Sequence, residues 1–343
     1  MEIERRIVSR PGFPGVRFPF FLFVLCAKSL NRSVSADRFF LCFSAQAPRA
    51  SSHQDWGSPS AVLGLANAKG VGIIESLMRL SLVSWNVNSV RLRLPQIEQF
   101  LKDTDVDILC MQEIKCQEHE FPREAFEALG YTHIHIAGQK GWHGVALVSK
   151  MPFEALPAPA FCRRGEARAQ GIRIDGTEIW NFYIPAGGDF PDREGNDKFD
   201  HKLTFYERLI EDLKRRGPDK PLLICGDLNI APGEFDVWSH RQMLRVVSHT
   251  PVEIETFGNL MQAGDFHDPF RVAYPDPQKI FTWWSYRAAD FRKSNRGLRL
   301  DHILLNPGLM AKVKGEITAK IHDTVREWER PSDHAPIQTI FEL

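Results

Sequence analysis

Acids, amides and histidines recur in this chain where apolar runs begin or end. Asn86 closes the run 79–86, and Glu113 follows the run 106–111. Asp227 and Asn229 follow 221–225, Asp301 and His302 interrupt 298–305, and Asp333-His334 precedes 337–341. Side chains two residues apart in an extended chain share a face, so Asp227 and Asn229 could act on one water or one phosphate oxygen. The other reading of that pair is an Asp/Asn turn at a strand end. Similar alternatives stand beside the rest. Asn86 could bond backbone in a turn, Glu113 could pair with Lys115 on the surface, Asp333 could be a turn residue after Pro331-Ser332, and His334 could be structural. Tyr183, late in the run 179–184, reads either as core or as a hydroxyl for a phosphate. His302 points away from Asp301 in a strand and reads as structural. The recurrence is what favours chemistry, because loops at the ends of rigid sheets are where folds present function.

The donor types narrow that chemistry. There is no Ser nucleophile elbow and no glycine-rich phosphate loop. Carboxylates with few histidines suit a hard cation, Mg²⁺ or Mn²⁺, rather than zinc. His334 could polarise a phosphoryl oxygen while Asp301 orients its ring. The reaction this set fits is attack of an activated water on a phosphodiester, with the metal and the histidine stabilising negative charge on oxygen.

Such residues must be carried by a sheet scaffold, and the remaining pattern supplies one. Strand-like runs at 79–86, 106–111, 145–149, 179–184, 221–225, 280–284, 298–305 and 337–341 alternate with amphipathic segments. Helices are expected at 94–101, at 122–129 before Gly130, and at 202–216 before Gly217-Pro218. The mixture continues without a break in composition, which predicts one α/β domain over 78–343. The formal net charge of zero excludes a bulk basic tail but not a local basic face. Six scattered cysteines without a Cys-x-x-Cys pair argue against a zinc ribbon and fit a reducing compartment, the cytoplasm. Cys110 and Cys225 read as buried small hydrophobes.

Residues 1–77 are a different text, rich in Pro, Ser, Arg and Phe, with 9 Lys+Arg against 5 Asp+Glu, leaving 34 against 38 for the remainder. The apolar run 18–27 is too short to span a bilayer. The segment is expected to be a disordered extension, or the product of an over-extended reading frame with translation starting at Met78. A targeting peptide is the alternative.

The ordered motifs carry a resemblance. Ser84-Trp85-Asn86-Val87-Asn88, Gln112-Glu113-Ile114-Lys115, Gly144-Val145-Ala146-Leu147, Gly226-Asp227-Leu228-Asn229, Arg296-Gly297-Leu298-Arg299-Leu300-Asp301 and Ser332-Asp333-His334-Ala335-Pro336 resemble those of the exonuclease III family. These are apurinic/apyrimidinic endonucleases of the endonuclease/exonuclease/phosphatase superfamily. The resemblance covers 78–343 and leaves 1–77 unmatched. It implies a DNase I-like four-layer sandwich, two mainly antiparallel sheets packed face to face with helices outside. It implies a metal-dependent DNA repair phosphodiesterase that incises duplex DNA 5′ to abasic sites, acts as a 3′→5′ exodeoxyribonuclease and cleans blocked 3′ ends. By motif, Glu113 corresponds to the principal metal ligand, with Asn86 and Asp333 near the ion or its waters. Asp227 corresponds to the residue that activates water and Asn229 to the one that orients it. His334, paired with Asp301, corresponds to the phosphate-polarising histidine, Tyr183 to the phosphate-side tyrosine, and Trp283 to an aromatic beside the abasic pocket. The family also implies Mg²⁺, with Mn²⁺ as substitute. Trp142-His143 and the stretch 186–193 depart from the family pattern and are expected to be surface loops that tune DNA contact.

A neutral domain must bind DNA through local cations. The candidates are Arg91, Arg93, Lys115, Lys198, Lys202, and the cluster Arg287, Arg292, Lys293, Arg296 and Arg299, interleaved with Trp283, Trp284 and Tyr286. Since Trp283 and Trp284 alternate, at least one is expected in the core. The expected partner is duplex DNA with abasic sites or 3′ ends, bound by a monomer without membrane contact. A phospholipid phosphodiesterase of the same superfamily is the enzymatic alternative, and a non-catalytic DNA-binding protein on the same fold is the other. The Arg-Gly-Leu-Arg-Leu-Asp segment and the tryptophan pair favour DNA, and the complete set of catalytic residue types argues against a silent scaffold.

Overall fold

Alternation along the strands is what brings two sheets together. In the computed structural model, which describes residues 78–288 and 290–343, the chain opens with β1 (Arg79–Asn86), α1 (Val90–Asp103), β2 (Ile108–Gln112), α2 (Arg123–Ala128), β3 (His133–Ala137) and β4 (Val145–Ser149). It continues through β5 (Glu154–Leu156), β6 (Ala169–Ile174), β7 (Thr177–Tyr183), α3 (Asp197–Arg216), β8 (Leu222–Asp227), α4 (His240–Met243), α5 (Pro251–Gly264) and α6 (Pro269–Ala273). It ends with β9 (Trp283–Trp284), α7 (Phe291–Ser294), β10 (Gly297–Leu298), β11 (Asp301–Leu305), α8 (Pro307–Met310), β12 (Lys314–Ile321) and β13 (Ile337–Glu342).

One sheet has the order β12-β13-β1-β2-β4-β3 and the other β11-β8-β7-β6-β5. Each is antiparallel except for one central parallel pair, β1 with β2 and β7 with β8. A parallel pair needs a crossover, and α1 and α3 supply the two. Leu80, Leu82, Ile108 and Cys110 from one sheet meet Ile179, Leu223, Cys225 and Ile303 from the other in the central apolar layer. Their neighbours point outward. Val83, Trp85, Leu109 and Met111 pack with Ile97 and Phe100 of α1. Leu222 and Ile224 pack with Leu209 and Leu213 of α3 and with Leu260 of α5. The layers are helix, sheet, sheet, helix, as the resemblance implied. The outward Trp85 and Phe100 rings pack at a tilt of 59°, with centroids 5.6 Å apart.

The helix ends follow from local chemistry. Ser89 caps α1 through the Leu92 N–H, and Asn196 caps α3 by accepting from the Lys198 and Phe199 N–H groups. That cap starts α3 at Asp197, five residues before the expected start, and Gly217, at φ +73°, ends it.

Three sequence expectations change. The run 280–284 forms only the two-residue β9. The run 298–305 is broken between β10 and β11, because the backbone at Arg299 and Leu300 bonds elsewhere: the Arg299 N–H donates to Asp236 O, and Leu300 O accepts from the Leu228 N–H. The strands β3, β5, β6 and β12 and the helix α5 were not anticipated. β12 shows why, since it is mostly exposed on the sheet edge and its apolar alternation is confined to Ile317, Ala319 and Ile321. The expectation for residues 1–77 lies outside the described residues. Among the described residues, no helix is long and apolar enough to cross a membrane.

Burial leaves a pH signature. His302 lies in β11 with its Nε2–H donating to Ile230 O at 2.8 Å, which bears out its structural reading. Burial, with the Arg299 charge adding to it, pushes its pKa down from 6.5 to about 4. Between those values the unfolded chain binds a proton that the folded chain refuses. The contribution is therefore full above the unfolded value and is lost as pH falls toward the folded one. One such group steepens the fall by at most about 1.4 kcal/mol per pH unit. Urea unfolding across that window should show a shallower loss in His302→Gln than in the parent chain, and identical slopes would refute this assignment.

Candidate active site

The site lies where the carboxyl ends of both central parallel pairs emerge. Asn86 is the last residue of β1, Glu113 follows β2, Tyr183 ends β7 and Asp227 ends β8. Asp301, the first residue of β11, stands in register opposite Asp227. Asp333 and His334 lead into β13, which runs antiparallel to β1. Two sheets packed face to face thus deliver their polar ends to one place.

The side chains interlock there. The Asn86 amide donates to Glu113 Oε1 at 3.0 Å and to Asp227 Oδ2 at 2.9 Å, bridging the sheets. The Tyr183 hydroxyl donates to the same Glu113 oxygen at 2.9 Å, while Lys115 Nζ pairs with Glu113 Oε2 at 2.8 Å. His334 Nδ1 lies 2.8 Å from Asp301 Oδ2, and its Nε2 faces Asp227 Oδ2 at 3.8 Å. The Thr282 hydroxyl donates to Asp301 Oδ2 at 2.6 Å. Asp333 accepts from Asn88 Nδ2 and from Trp283 Nε1, each at 2.9 Å.

Asp227 and Asn229 form the turn that one reading of their motif expected. The Asn229 N–H donates to Asp227 Oδ1 at 3.1 Å, which is the turn, and both side chains remain at the site. Asn229 does not continue the strand alternation, since it has φ +56°. The Asn229 amide donates to Ile184 O at 2.8 Å, which fixes the way it faces. Gly226 is needed just before them: its φ is +137°, and a Cβ there would lie 1.9 Å from Phe182 O. Glu113, Lys115, Asn88 and Ser89 also hold positive φ, at 51°, 51°, 46° and 93°. Left-handed backbone at non-glycine residues costs on the order of 1 kcal/mol each and gathers at functional sites.

The electrostatics follow from burial. Desolvation raises the Asp227 pKa to about 7, with the charges of Asp301 and Glu113 adding to it against the pull of His334 and the Asn86 amide. Burial alone would lower His334, but Asp301, Asp227 and Asp333 outweigh it and lift the imidazole to about 10. Burial raises Tyr183 well above the ordinary phenol value, with help from the Glu113 and Asp227 charges, so it remains a neutral donor. Burial would also raise Asp333, but the His334 charge and the Asn88 and Trp283 hydrogen bonds hold it below the ordinary value.

Glu113, Asp227, Asp301 and Asp333 thus face the cations His334 and Lys115, and the excess is negative. An all-oxygen, anionic donor set of this kind fits a hard divalent cation. Asp227, Asp301 and His334 bring ligand-type atoms within 4.8 Å of one another. His334 is nevertheless engaged by Asp301 and held protonated, which makes that trio an ion-paired group rather than a metal cage.

Supports beneath the site went unrecognised in the sequence. Gln112 Nε2 donates to Asn181 Oδ1 at 2.7 Å and to Ser84 Oγ at 3.0 Å, and Asn181 Nδ2 donates to Met111 O and Ala146 O. This clasp crosses between the sheets directly under Glu113. Its signal was present as amides inside apolar runs. Arg168 covers the Tyr183 ring at 4.7 Å and donates to Tyr183 O.

The cation candidates divide. Arg287 and Arg296 are exposed, with Arg296 stacked 4.7 Å over Trp238. Arg91 is exposed and paired with Glu120 at 2.9 Å, and Arg292 bonds Asp323 and Glu327. Lys115 belongs to the centre itself, through Glu113. Trp283 is half-buried and Trp284 buried, as their alternation required. Trp142 is 74% exposed, and His143 sits behind it with its ring 6.2 Å from that of Tyr183.

Three expectations are corrected. Arg299 is 2% exposed and held by Asp236 and Asp268, so it cannot reach a phosphate. Lys202 is fully buried against Glu253 and Asn229 O. Arg93 is buried and donates to Asn88 O, the Tyr286 hydroxyl and Pro331 O. Sequence shows a cation but not the partners that claim it.

Two face-packed sheets meeting in an acidic, histidine-bearing centre define a hydrolase of the phosphodiesterase type. Residues 83–334 match the Endonuclease/Exonuclease/phosphatase family, and the chain belongs to it. It is 34% identical over 278 residues to exodeoxyribonuclease III of Haemophilus influenzae, a match covering 76% of this chain and 100% of that one. Among solved structures it is similar to the 3′ phosphatase NExo from Neisseria bound to a product DNA hairpin, with TM-score 0.69, 31% identity, and 77% of this chain and 100% of that one covered. An AP endonuclease from Archaeoglobus fulgidus gives TM-score 0.70 at 31% identity, over 76% and 99% of the two chains.

Burial would raise Asp236, yet Arg299 and Arg271 hold it at about 2. Removing Arg299 leaves that buried charge short of a partner, a change worth about 3–5 kcal/mol. Arg299→Ala should lose that much in chemical unfolding. A variant as stable as the parent but weak for DNA would return Arg299 to the DNA surface.

Proposed function

We propose that this protein is a metal-dependent DNA repair phosphodiesterase that incises duplex DNA 5′ to abasic sites, degrades 3′ ends and removes 3′-blocking groups. The observation that carries the reading is the continuous chain Glu113–Asn86–Asp227–His334–Asp301, which joins the central strands of both sheets. It is supported by likeness to proteins named as exodeoxyribonuclease III, as a 3′ phosphatase and as an AP endonuclease.

Each side chain has a role that its surroundings suit. Asp227, raised toward neutral pH, takes the proton of the attacking water. Asn229, fixed by Ile184 O, orients that water. His334, kept charged by Asp301, donates toward the phosphoryl oxygen on which charge develops. Tyr183, kept neutral, donates on the same side. Glu113 would hold Mg²⁺, or Mn²⁺ in its place, with Asn86 and Asp333 beside the ion or its waters. A bound divalent cation supplies charge to the phosphate as negative charge builds. Lys115 and the Asn86 amide meanwhile keep the Glu113 carboxylate oriented.

Trp283, positioned by Asp333, flanks the place of an extruded abasic sugar. Arg91, Arg287 and Arg296 contact phosphates without reading sequence. The whole set lies within residues 78–343, consistent with a monomer acting on DNA. The free thiols Cys110, Cys116, Cys162 and Cys225 suit the cytoplasm.

A duplex carrying one abasic analogue tests the reading. The full chain should cut its 5′ side in Mg²⁺ and not in EDTA, and Glu113→Ala should need at least about 10-fold more Mg²⁺ for half-maximal cleavage. An intact abasic duplex in the presence of Mg²⁺ would overturn the activity. An unchanged metal titration would remove Glu113 as the ligand.

A further inference from the structure

A second ligand cluster lies outside the centre. The loop after β5 makes a tight turn, with the Gly165 N–H donating to Cys162 O at 3.3 Å. That turn returns Glu166 to Cys162, and the Glu166 N–H donates to Cys162 Sγ at 3.3 Å. The thiolate is the form of a cysteine that binds metals. From α3, His201 places Nε2 3.3 Å from the same sulfur. Glu166 Oε2 is 3.9 Å from Sγ. The three ligand atoms all lie within 4.8 Å of one another.

We propose that Cys162, His201 and Glu166 form a site for a borderline-soft divalent transition metal of the Zn²⁺ class. The spacing carries the argument. Tetrahedral bonds of about 2.3 Å to sulfur and about 2.0 Å to nitrogen or oxygen put the ligand atoms roughly 3.5 Å apart. The observed 3.3 and 3.9 Å bracket that value. One thiolate, one imidazole and one carboxylate select this metal class over Mg²⁺, which the all-oxygen centre at Glu113 suits.

The surroundings agree. His201 is buried, and desolvation, joined by the Arg164 charge, holds its pKa down at about 4, so the ring is neutral and ready to ligate. Glu166 is held from outside, with Arg168 Nε on Oε2 at 2.5 Å and His143 Nε2 3.5 Å from Oε1. Such outer partners orient a ligating carboxylate. Cys162 and Glu166 also line a surface hollow of about 520 Å³, which gives the ion an entrance and a fourth position for water. Binding releases the thiol proton to solvent, and no oxidant is required.

Cobalt alone is the probe, because thiolate-to-cobalt charge transfer gives a near-ultraviolet band that an all-oxygen site cannot produce. The full reduced chain titrated with Co²⁺ should develop that band to one equivalent, with visible ligand-field bands of tetrahedral strength, and Zn²⁺ should bleach both. Cys162→Ser should lose the charge-transfer band. His201→Ala should lose the tetrahedral signature while its circular dichroism remains that of the parent. Absence of the band in the parent, or its survival in Cys162→Ser, would overturn the proposal. Glu113→Gln should leave the band unchanged, and its loss there would place the cobalt at the other centre and equally overturn the assignment.

Discussion

Everything at the centre depends on one amide. Asn86 reaches from the end of β1 and gives its two N–H bonds to Glu113 on its own sheet and to Asp227 on the facing one. Carboxylates in a water-poor site repel one another and lose hydration, a cost that must be met by donors and countercharge. Asn86 meets part of it without adding charge. Lys115 and Tyr183 also bond Glu113, and His334 and Thr282 both bond Asp301 Oδ2. What remains is an excess of negative charge that invites a divalent cation and leaves Asp227 able to exchange a proton near neutral pH.

The fold makes that concentration of charge possible. Each sheet contributes one parallel pair, and parallel neighbours release their carboxyl ends on the same side. The antiparallel strands β11 and β13 then bring Asp301 and His334 to that side from the opposite direction. Below the charged groups, the Gln112–Asn181 clasp ties the sheets together. The strain of Glu113, Lys115, Asn88 and Asn229 at positive φ is borne by a framework whose apolar layers are buried on both faces of both sheets.

Much of this was legible in the residues. β1, β2, β4, β7, β8 and β13 could be read because buried strands are continuous apolar runs, and the site could be read because its polar residues interrupt or end them. The layer count was not derivable from periodicity and came only from the family resemblance. The edge strand β12 was hard to read because most of its residues are exposed and its alternation is only the short set Ile317, Ala319 and Ile321. Arg93 is taken by uncharged acceptors, Asn88 O, the Tyr286 hydroxyl and Pro331 O, while the failures at Lys202 and Arg299 share another cause. In those two the buried cation differs from a surface one only by an acid distant in sequence: Glu253 for Lys202, Asp236 and Asp268 for Arg299. The Asp227–Asn229 motif shows the reverse, since the turn the sequence allowed lies where the polar ends of both sheets gather.

Asp227 is a buried carboxylate whose charge its surroundings disfavour, and in the proposed function it is kept for its chemistry. The direct measurement is the pair of stability and single-turnover cleavage for Asp227→Asn on an abasic duplex in Mg²⁺. Without the ion the neutral amide relieves repulsion from Asp301 and Glu113, so the variant should unfold at equal or higher denaturant. Its cleavage step should slow by about 10²–10⁴-fold. A variant that cuts within a few-fold of the parent, or that loses activity only because it no longer folds, would contradict the claim.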